Sequence, residues 1–415
     1  MPSYADLFRI FGRIGLQSFG GPAAQIALMH KELVENRDWL TEEEFLRALS
    51  FCMLLPGPEA MQLATYSGWQ QRGITGGLIA GGLFVLPGAI VIAMLAIAYG
   101  TFGNQPWAQS LFLGIQAAVV VIVVDALRKV SQKALTGPLA FVIAALSFFS
   151  LYVFALPFPL VIAVAACIGW FGFKTLPPNG QVKPVSRKGV LPVIVISGLI
   201  WALPLVLAIA LDANFLTEIG LFFSKLAVVS FGGAYAVLAY MTQVVVTDFG
   251  WLAPNEMLDA LGLAETTPGP LILVTQFVAI LAGLSEGGIG IAIAAGLMTL
   301  WVTFVPCFIW IFAGAPYIEW LSGQPRLQAA LKGITAAVVG VIANLSLWFA
   351  VQVFFDDVTI GPFNVLSPNL SSINIAAVMV AVLAAVILLF AKQPLWRVLI
   401  LCSLASFGLG WAIGA

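Results

Sequence analysis

Four short stretches of this chain combine glycine with proline or hydroxyl residues in a repeated order. Ser18–Pro22 reads "SFGGP" and returns as "SFGGA" at Ser230–Ala234, 212 positions later. Leu54–Pro58 reads "LLPGP" and returns in the same register as "TTPGP" at Thr266–Pro270. The adjacent glycines Gly20, Gly21, Gly232 and Gly233 allow backbone conformations that other residues resist. Each Pro-Gly-Pro run (Pro56, Gly57, Pro58 and Pro268, Gly269, Pro270) removes two donors, biases the residues before each proline away from helix, and can open a new helix at its second proline. With Pro22, these residues predict four helix breaks. A half-helix starting at a break presents free N–H groups and a positive dipole end, which is chemistry for holding an anion. Two cations keep the same register: Arg13 and Lys225 each stand five residues before Ser-Phe-Gly-Gly.

The elements that must position these residues are set by composition. The 415-residue chain is 61% hydrophobic and 9% charged, and its mean hydropathy of +1.04 is far from a soluble balance. Charge-free runs cover Gly73–Val124, Gly137–Phe173, Gly189–Leu211, Gly287–Ile318 and Gly333–Phe355. Each is long enough for one or two helices across a hydrocarbon core about 30 Å thick. The fold class expected is an all-α polytopic membrane protein, with the lipid bilayer as its solvent. The N-terminus has charges where a signal peptide would carry an apolar region, so no cleavable leader is expected. Cys52, Cys167, Cys307 and Cys402 are scattered without Cys-x-x-Cys spacing, which indicates neither disulfides nor a metal site. No basic tract supports a nucleic-acid partner, and no cofactor is implied.

The duplication extends well beyond the breaks. Met29 meets Met241, Trp39–Leu40 meets Trp251–Leu252, and "GIQAAVVVIV" at Gly114–Val123 matches "GITAAVVGVI" at Gly333–Ile342, seven residues having been gained between blocks. Broken segments near 8–30 and 46–68 precede helices near 74–99, 108–127, 138–155 and 157–173. After a polar linker and one extra helix near 190–211 the pattern repeats: broken segments near 216–243 and 257–282, helices near 287–316, 328–350, 372–391 and 394–413. The expected division is 1–173 for the first repeat, 174–214 for the linker and connecting helix, and 215–415 for the second repeat. Lys and Arg fall on alternate connections: Arg72, then Arg128, Lys129 and Lys133, then Lys174, Lys183, Arg187 and Lys188, and later Arg326, Lys332, Lys392 and Arg397. Naming that set cytoplasmic threads the two repeats in opposite directions, an inverted repeat of the secondary-transporter kind. Whether each broken pair crosses or re-enters leaves this parity unchanged.

The paired stretches, "SFGGP…QIALMHKELVENRDWLTEEEFL…LLPGPEAMQLATYSGW" with "SFGGAYAVLAYM…WL…ETTPGP", resemble the chromate ion transporter family, long-chain type, from Phe8 to the last helices. The resemblance implies two oppositely oriented homologous halves. It also implies a bacterial inner-membrane protein that exports chromate with the proton gradient as its drive and confers chromate resistance. Gln25 stands where many members carry a histidine, and the second copy reads "FGGA" rather than "FGGP".

Chromate is a tetrahedral dianion, so its site needs positive potential and hydrogen-bond donors. Arg13 and Lys225 would form a two-sided clamp about a pseudo-two-fold axis, Arg forking onto two oxygens and Lys acting as a point charge. The bland reading makes both residues topology determinants at a membrane face. Donors would come from Ser18, Ser230, the Gly20, Gly21, Gly232 and Gly233 backbones, Gln62, Thr266, Thr267 and Gln276. Such side chains in membrane helices also commonly bond back to the preceding turn. Acids inside membrane segments are expensive and default to functional hypotheses, and a proton-coupling acid must lose and regain its proton. Glu265 is the first candidate, then Glu59 and Asp125; Asp125 could equally pair with Arg128 or Lys129 at a helix end. His30, the single histidine, reads first as a solvated or capping residue and second as a proton relay. A sulfate- or molybdate-type carrier is the alternative within transport. A membrane enzyme lacks a metal, Ser-His or Asp-rich constellation, and a scaffold has no evident use for paired breaks. A homodimer stays open.

Overall fold

The computed structural model describes residues 2–174, 190–231, 233–322, 324–361 and 365–413. The expected linker residues Lys183, Arg187 and Lys188, and Gly232 of the second glycine pair, lie outside the described residues. The protein is all-α and polytopic. In chain order its helices are α1 (Tyr4–Gln17), α2 (Gly21–His30), α3 (Glu42–Cys52), α4 (Glu59–Phe102), α5 (Pro106–Ala134), α6 (Pro138–Tyr152), α7 (Phe158–Gly172), α8 (Val190–Ala210) and α9 (Asn214–Val229). They continue with α10 (Ala234–Gln243), α11 (Pro254–Glu265), α12 (Val274–Gly287), α13 (Ile289–Gly314), α14 (Ile318–Ser322), α15 (Pro325–Phe354), α16 (Ile375–Ala385) and α17 (Leu395–Ile413). Among the described residues, α4, α5, α8, α15 and the run Ile289–Tyr317 are long and apolar enough to cross a membrane. Among the described residues, β structure is confined to the loop before α16, as a short antiparallel pair, Val358–Ile360 with Leu366–Pro368, and a single bridge between Phe355 and Ile373.

The two halves repeat in local structure as well as in sequence. Ser18 (φ −77°, ψ 60°) and Ser230 (φ −79°, ψ 60°) end α1 and α9 in the same inverse γ-turn. Each following Phe N–H bonds two residues back: Phe19 to Gln17 O and Phe231 to Val229 O, both at 2.9 Å. Further on, α2 and α10 both run into a π-helical turn, Lys31–Glu35 and Val244–Asp248. The Trp39 N–H then donates to Leu33 O and the Trp251 N–H to Val245 O, again both at 2.9 Å and in register. The next helices start alike. Glu44 accepts from the Thr41 N–H (2.9 Å) and Glu256 from the Ala253 N–H (2.8 Å). Only Thr41 has a hydroxyl to accept the Glu44 N–H in return, so the second copy keeps half of the capping box.

Glycine also joins the broken segments to the helices after them. Within α4 the backbone leaves helical geometry at Arg72 and Gly73, where Gly73 has φ 62° and ψ −154°. Gly288, between α12 and α13, has φ 79° and ψ −165°. That region is open essentially to glycine alone.

The chain packs as two compact units, each drawing on both halves of the sequence. One comprises residues up to Ile97, α8 to Val237, and Thr267–Pro325, and holds the described residues of all four helix breaks except Thr266. In it α13 packs on α8, α9 and α12, with the Trp201 indole donating to Val302 O and the Trp301 indole to Ile200 O, each at 3.0 Å. The remaining face of α8 is exposed and apolar, as contact with lipid requires. The second unit runs from Ala98 through α7, then Leu238–Thr266, then Arg326 onward. Here the repeated blocks explain themselves. Gly114 of α5 lies so close to α17 that an added Cβ would stand 2.3 Å from Cys402 O; its counterpart Gly333 of α15 would put one 2.3 Å from Ala165 O of α7. Small residues permit such approach between membrane helices, and each half uses them on a helix of the other.

Candidate functional site

The four breaks form, and the two halves exchange them. The Gly57 N–H of the first Pro-Gly-Pro donates to Ser230 O of the second Ser-Phe-Gly-Gly (3.1 Å). The Gly269 N–H of the second Pro-Gly-Pro donates to Ser18 O of the first (2.9 Å). Sequence spacing alone paired each motif with its own copy. In space each pairs with the other motif of the opposite half. Gly57 (φ 112°) and Gly269 (φ 90°) are both in left-handed territory, as are Gly20 (85°), Gly21 (78°) and Gly233 (101°). The breaks are therefore conformations that other residues adopt only with strain.

A third matched pair braces the crossing. Pro87 and Pro306 lie inside α4 and α13 in register, each followed by a small residue, Gly88 and Cys307. A Cβ on Gly88 would stand 2.2 Å from Pro268 O, and one on Gly57 would stand 2.8 Å from the Cys307 Sγ. Each proline-bearing helix thus packs on the Pro-Gly-Pro of the other half.

Breaks leave carbonyls without helical partners, and a buried carbonyl must find one. In the first half two glutamines provide it. Gln25 Nε2 donates to Ser18 O (3.1 Å) and Gly269 O (2.7 Å), and Gln62 Nε2 donates to Pro56 O (2.6 Å). Both are buried with Oε1 lacking a partner among the described residues, as is Gln276 Oε1. The register counterparts of Gln25 and Gln62 are Val237 and Val274. Gln25 as a stitch across the crossing was not legible in the sequence, because its second acceptor is 244 residues away.

The hydroxyls near the breaks bond backward. Ser18 Oγ donates to Ile14 O (2.6 Å), Ser230 Oγ to Ala227 O (2.8 Å) and Thr266 Oγ1 to Leu263 O (2.7 Å). Helix α2 starts at Gly21 with Gly20 as its N-cap, Pro22 in its first turn and no side-chain cap, so its leading N–H groups are not claimed by a side chain. Thr267 and Gln276 are buried in the second break, while Arg13 and Lys225 are exposed. Glu59 opens α4 and is half-buried, whereas Glu265 closes α11 and is buried.

Asp125 is buried and carries two cations, Arg128 Nη2 at 3.1 Å and Lys129 Nζ at 2.6 Å. His30 bridges two carboxylates, with Nε2 2.6 Å from Glu42 and Nδ1 3.1 Å from Glu35, and its ring stands edge-on to Phe45. The bond to Glu42 is the main cause that raises its pKa above the ordinary histidine value. Two buried acids were passed over in the sequence: Glu32, which is paired with Arg37, and Asp259. Asp259 of α11 accepts from the Tyr99 hydroxyl (2.6 Å) and from Gln116 Nε2 (2.9 Å). The signal was available, since Asp259 occupies the register of Arg47 and reverses its charge. Among the described residues no group of three or more His, Cys, Asp and Glu is placed to hold a metal ion.

No solved structure matches the chain. A chromate transport protein of Cupriavidus metallidurans is 31% identical over 360 residues, covering 86% of this chain and 85% of its own length. A probable chromate transport protein of Synechococcus elongatus is 31% identical, covering 83% of this chain and 84% of its own. A chromate transport protein of Pseudomonas aeruginosa is likewise 31% identical, over 83% of this chain and 80% of its own length. The chromate transporter family profile matches residues 5–170 and 217–409, so both sets of breaks fall inside it and the chain belongs to that family.

Proposed function

We propose that this protein is a secondary transporter that exports chromate across a bacterial inner membrane, coupled to the proton gradient. The observation that carries the reading is the reciprocal crossing of the breaks, Gly57 to Ser230 and Gly269 to Ser18, in a chain of the chromate transporter family. Non-helical backbone at membrane depth is tolerated where protein or a water-filled cavity surrounds it. Broken helices that meet at an internal two-fold are how many secondary transporters build a substrate site.

In this reading residues 1–173 and 215–415 are the two repeats, threaded oppositely, and 174–214 joins them. The dianion is held by main-chain N–H groups at the breaks, by the Arg13 and Lys225 cations from the two sides, and by the buried polar side chains of Gln62, Thr267 and Gln276. Ser18, Ser230 and Thr266 hold the turns in shape through their bonds to the preceding turn. Glu265, at the end of the helix leading into the second Pro-Gly-Pro, carries the coupling proton. Chromate entering favours its protonation and chromate leaving permits release. Glu59 occupies the corresponding place after the first. Gln25 ties the two halves at the crossing.

The test is uptake of labelled chromate into inverted vesicles bearing the protein, with an imposed proton gradient and sulfate as competitor. Accumulation that collapses with the gradient and yields weakly to sulfate is expected. Accumulation of sulfate in preference would move the substrate, and accumulation of neither would end the reading. Threading is checked separately. Cysteines at Asn104 and Asp357 should react with an impermeant thiol reagent from outside; labelling from opposite faces would sink the inverted arrangement.

A further inference from the structure

We propose that Asp259, with Tyr99 and Gln116, forms a reversible proton-binding site separate from the helix breaks. The inference rests on the proton coupling proposed above and adds a second acid to it. Asp259 is 3% exposed. Its two oxygens each accept one hydrogen bond, Oδ2 from the Tyr99 hydroxyl at 2.6 Å and Oδ1 from Gln116 Nε2 at 2.9 Å. The residues come from the end of α4, from α5 and from α11, all within one compact unit.

The contrast with Asp125 in the same unit is what points to a proton. Asp125 faces Arg128 and Lys129, and both offset its charge. Asp259 has no cation among the described residues. A buried ion without a counter-charge carries a large desolvation penalty, which two neutral donors only partly offset. The chosen partners also accommodate either protonation state. A tyrosine hydroxyl donates to a carboxylate and, rotated, accepts from a carboxylic acid, while the Gln116 amide donates to the other oxygen in both states. A proton arriving from water at Oδ2 therefore turns one hydrogen bond around and breaks none. Nothing else is consumed or released.

The charged neighbours supply Asp259 with no counter-charge. On α11 itself Glu256, one turn earlier, adds like charge while its carboxylate caps the Ala253 N–H. From α4 the facing titratable group is Tyr99. On α5 the ionisable residues Asp125, Arg128, Lys129 and Lys133 all lie at the far end from Gln116. On α17, which also packs on α11, the cation is Arg397 in the first turn, engaged by Gln393. The site is single, because the register counterparts of Asp259 and Gln116 are Arg47 and Thr335.

The experiment uses full-length protein in liposomes. Infrared difference spectra between high and low pH should show a carboxylic-acid carbonyl band growing as pH falls. Asp259→Asn should lose that band, and Tyr99→Phe should keep it with a displaced titration midpoint. In proton-driven chromate transport, Asp259→Asn should lose the pH dependence at alkaline pH that the wild type shows. A spectrum of Asp259→Asn identical to wild type overturns the proposal. If wild-type vesicles build no chromate gradient from protons, the coupling reading fails by itself, and the infrared band still decides whether Asp259 takes up a proton.

Discussion

The two Pro-Gly-Pro breaks have matched partners and unlike surroundings. Around Leu54–Pro58 most residues are half-exposed, and the run is supported by a side chain of its own half, Gln62 on Pro56 O. Around Thr266–Pro270 nearly every residue is buried, and the burial continues without interruption to Gly283. There the supporting amide comes from the first half, Gln25 on Gly269 O. The helix braces differ in the same sense: backbone meets backbone where Gly88 approaches Pro268, but a thiol meets backbone where Cys307 approaches Gly57. Duplicated sequence produced equivalent turns; divergence then left one break enclosed and the other half-exposed.

The largest expected effect separates the acids beside the two breaks. Glu265→Gln, which mimics the protonated acid, should abolish proton-driven chromate accumulation in inverted vesicles while chromate exchange persists. Glu59→Gln should leave accumulation measurable. Normal pH-dependent accumulation by Glu265→Gln would transfer the role to Glu59, Asp125 or Asp259. Next come the cations. Arg13→Gln and Lys225→Gln should each cut efflux roughly tenfold or more, the loss expected for a charge-assisted hydrogen bond of about 1.5–3 kcal/mol, with Arg13→Lys milder. Wild-type efflux from both neutral variants would make the pair topology determinants only.

Stability sharpens the contrast in bracing. Gly88→Ala should cost about 1–3 kcal/mol by overpacking against Pro268 O, which cannot move independently of its backbone. Cys307→Ala, the register-matched change, should cost less than about 1.5 kcal/mol because it shrinks a side chain instead. Thermal unfolding in detergent compares them, and equal losses would mean that the two braces are equivalent. Gln25→Leu should cost about 1–2 kcal/mol by removing a donor from two buried carbonyls.

The smallest effect concerns His30. Its folded pKa is raised, chiefly by Glu42, so the contribution of the charged form is fully present below the ordinary value of about 6.5. It is lost as pH rises through the raised folded value. Unfolding temperatures of wild type should therefore fall across that window relative to His30→Gln, by the equivalent of roughly 1 kcal/mol or less for a part-exposed pair. Parallel pH profiles would show that the bridge to Glu42 and Glu35 contributes nothing.

Much of the fold was legible because it is written in local chemistry. The breaks at Ser18–Gly21 and Pro56–Pro58 follow from glycine and proline, and helices such as α5 and α15 follow from apolar runs bounded by charge. The π-turns after α2 and α10 were not legible, since they depend on how the chain must reach Trp39 and Trp251. Asp259 was passed over for a related reason. Its neighbours Tyr99 and Gln116 are 160 and 143 residues away, and an acid near a loop boundary reads as solvated until its helix is packed.

The sequence by itself determined the class, the duplication and the places where helix must stop, because hydrophobicity, repeat register and backbone freedom are properties of residues and their near neighbours. Tertiary structure alone decided which break meets which. The exchange of Ser18 with Gly269 and of Ser230 with Gly57 depends on hydrogen bonds that close loops of more than 170 residues. No local preference encodes such a choice. It follows from burying every broken carbonyl and N–H against a partner at once.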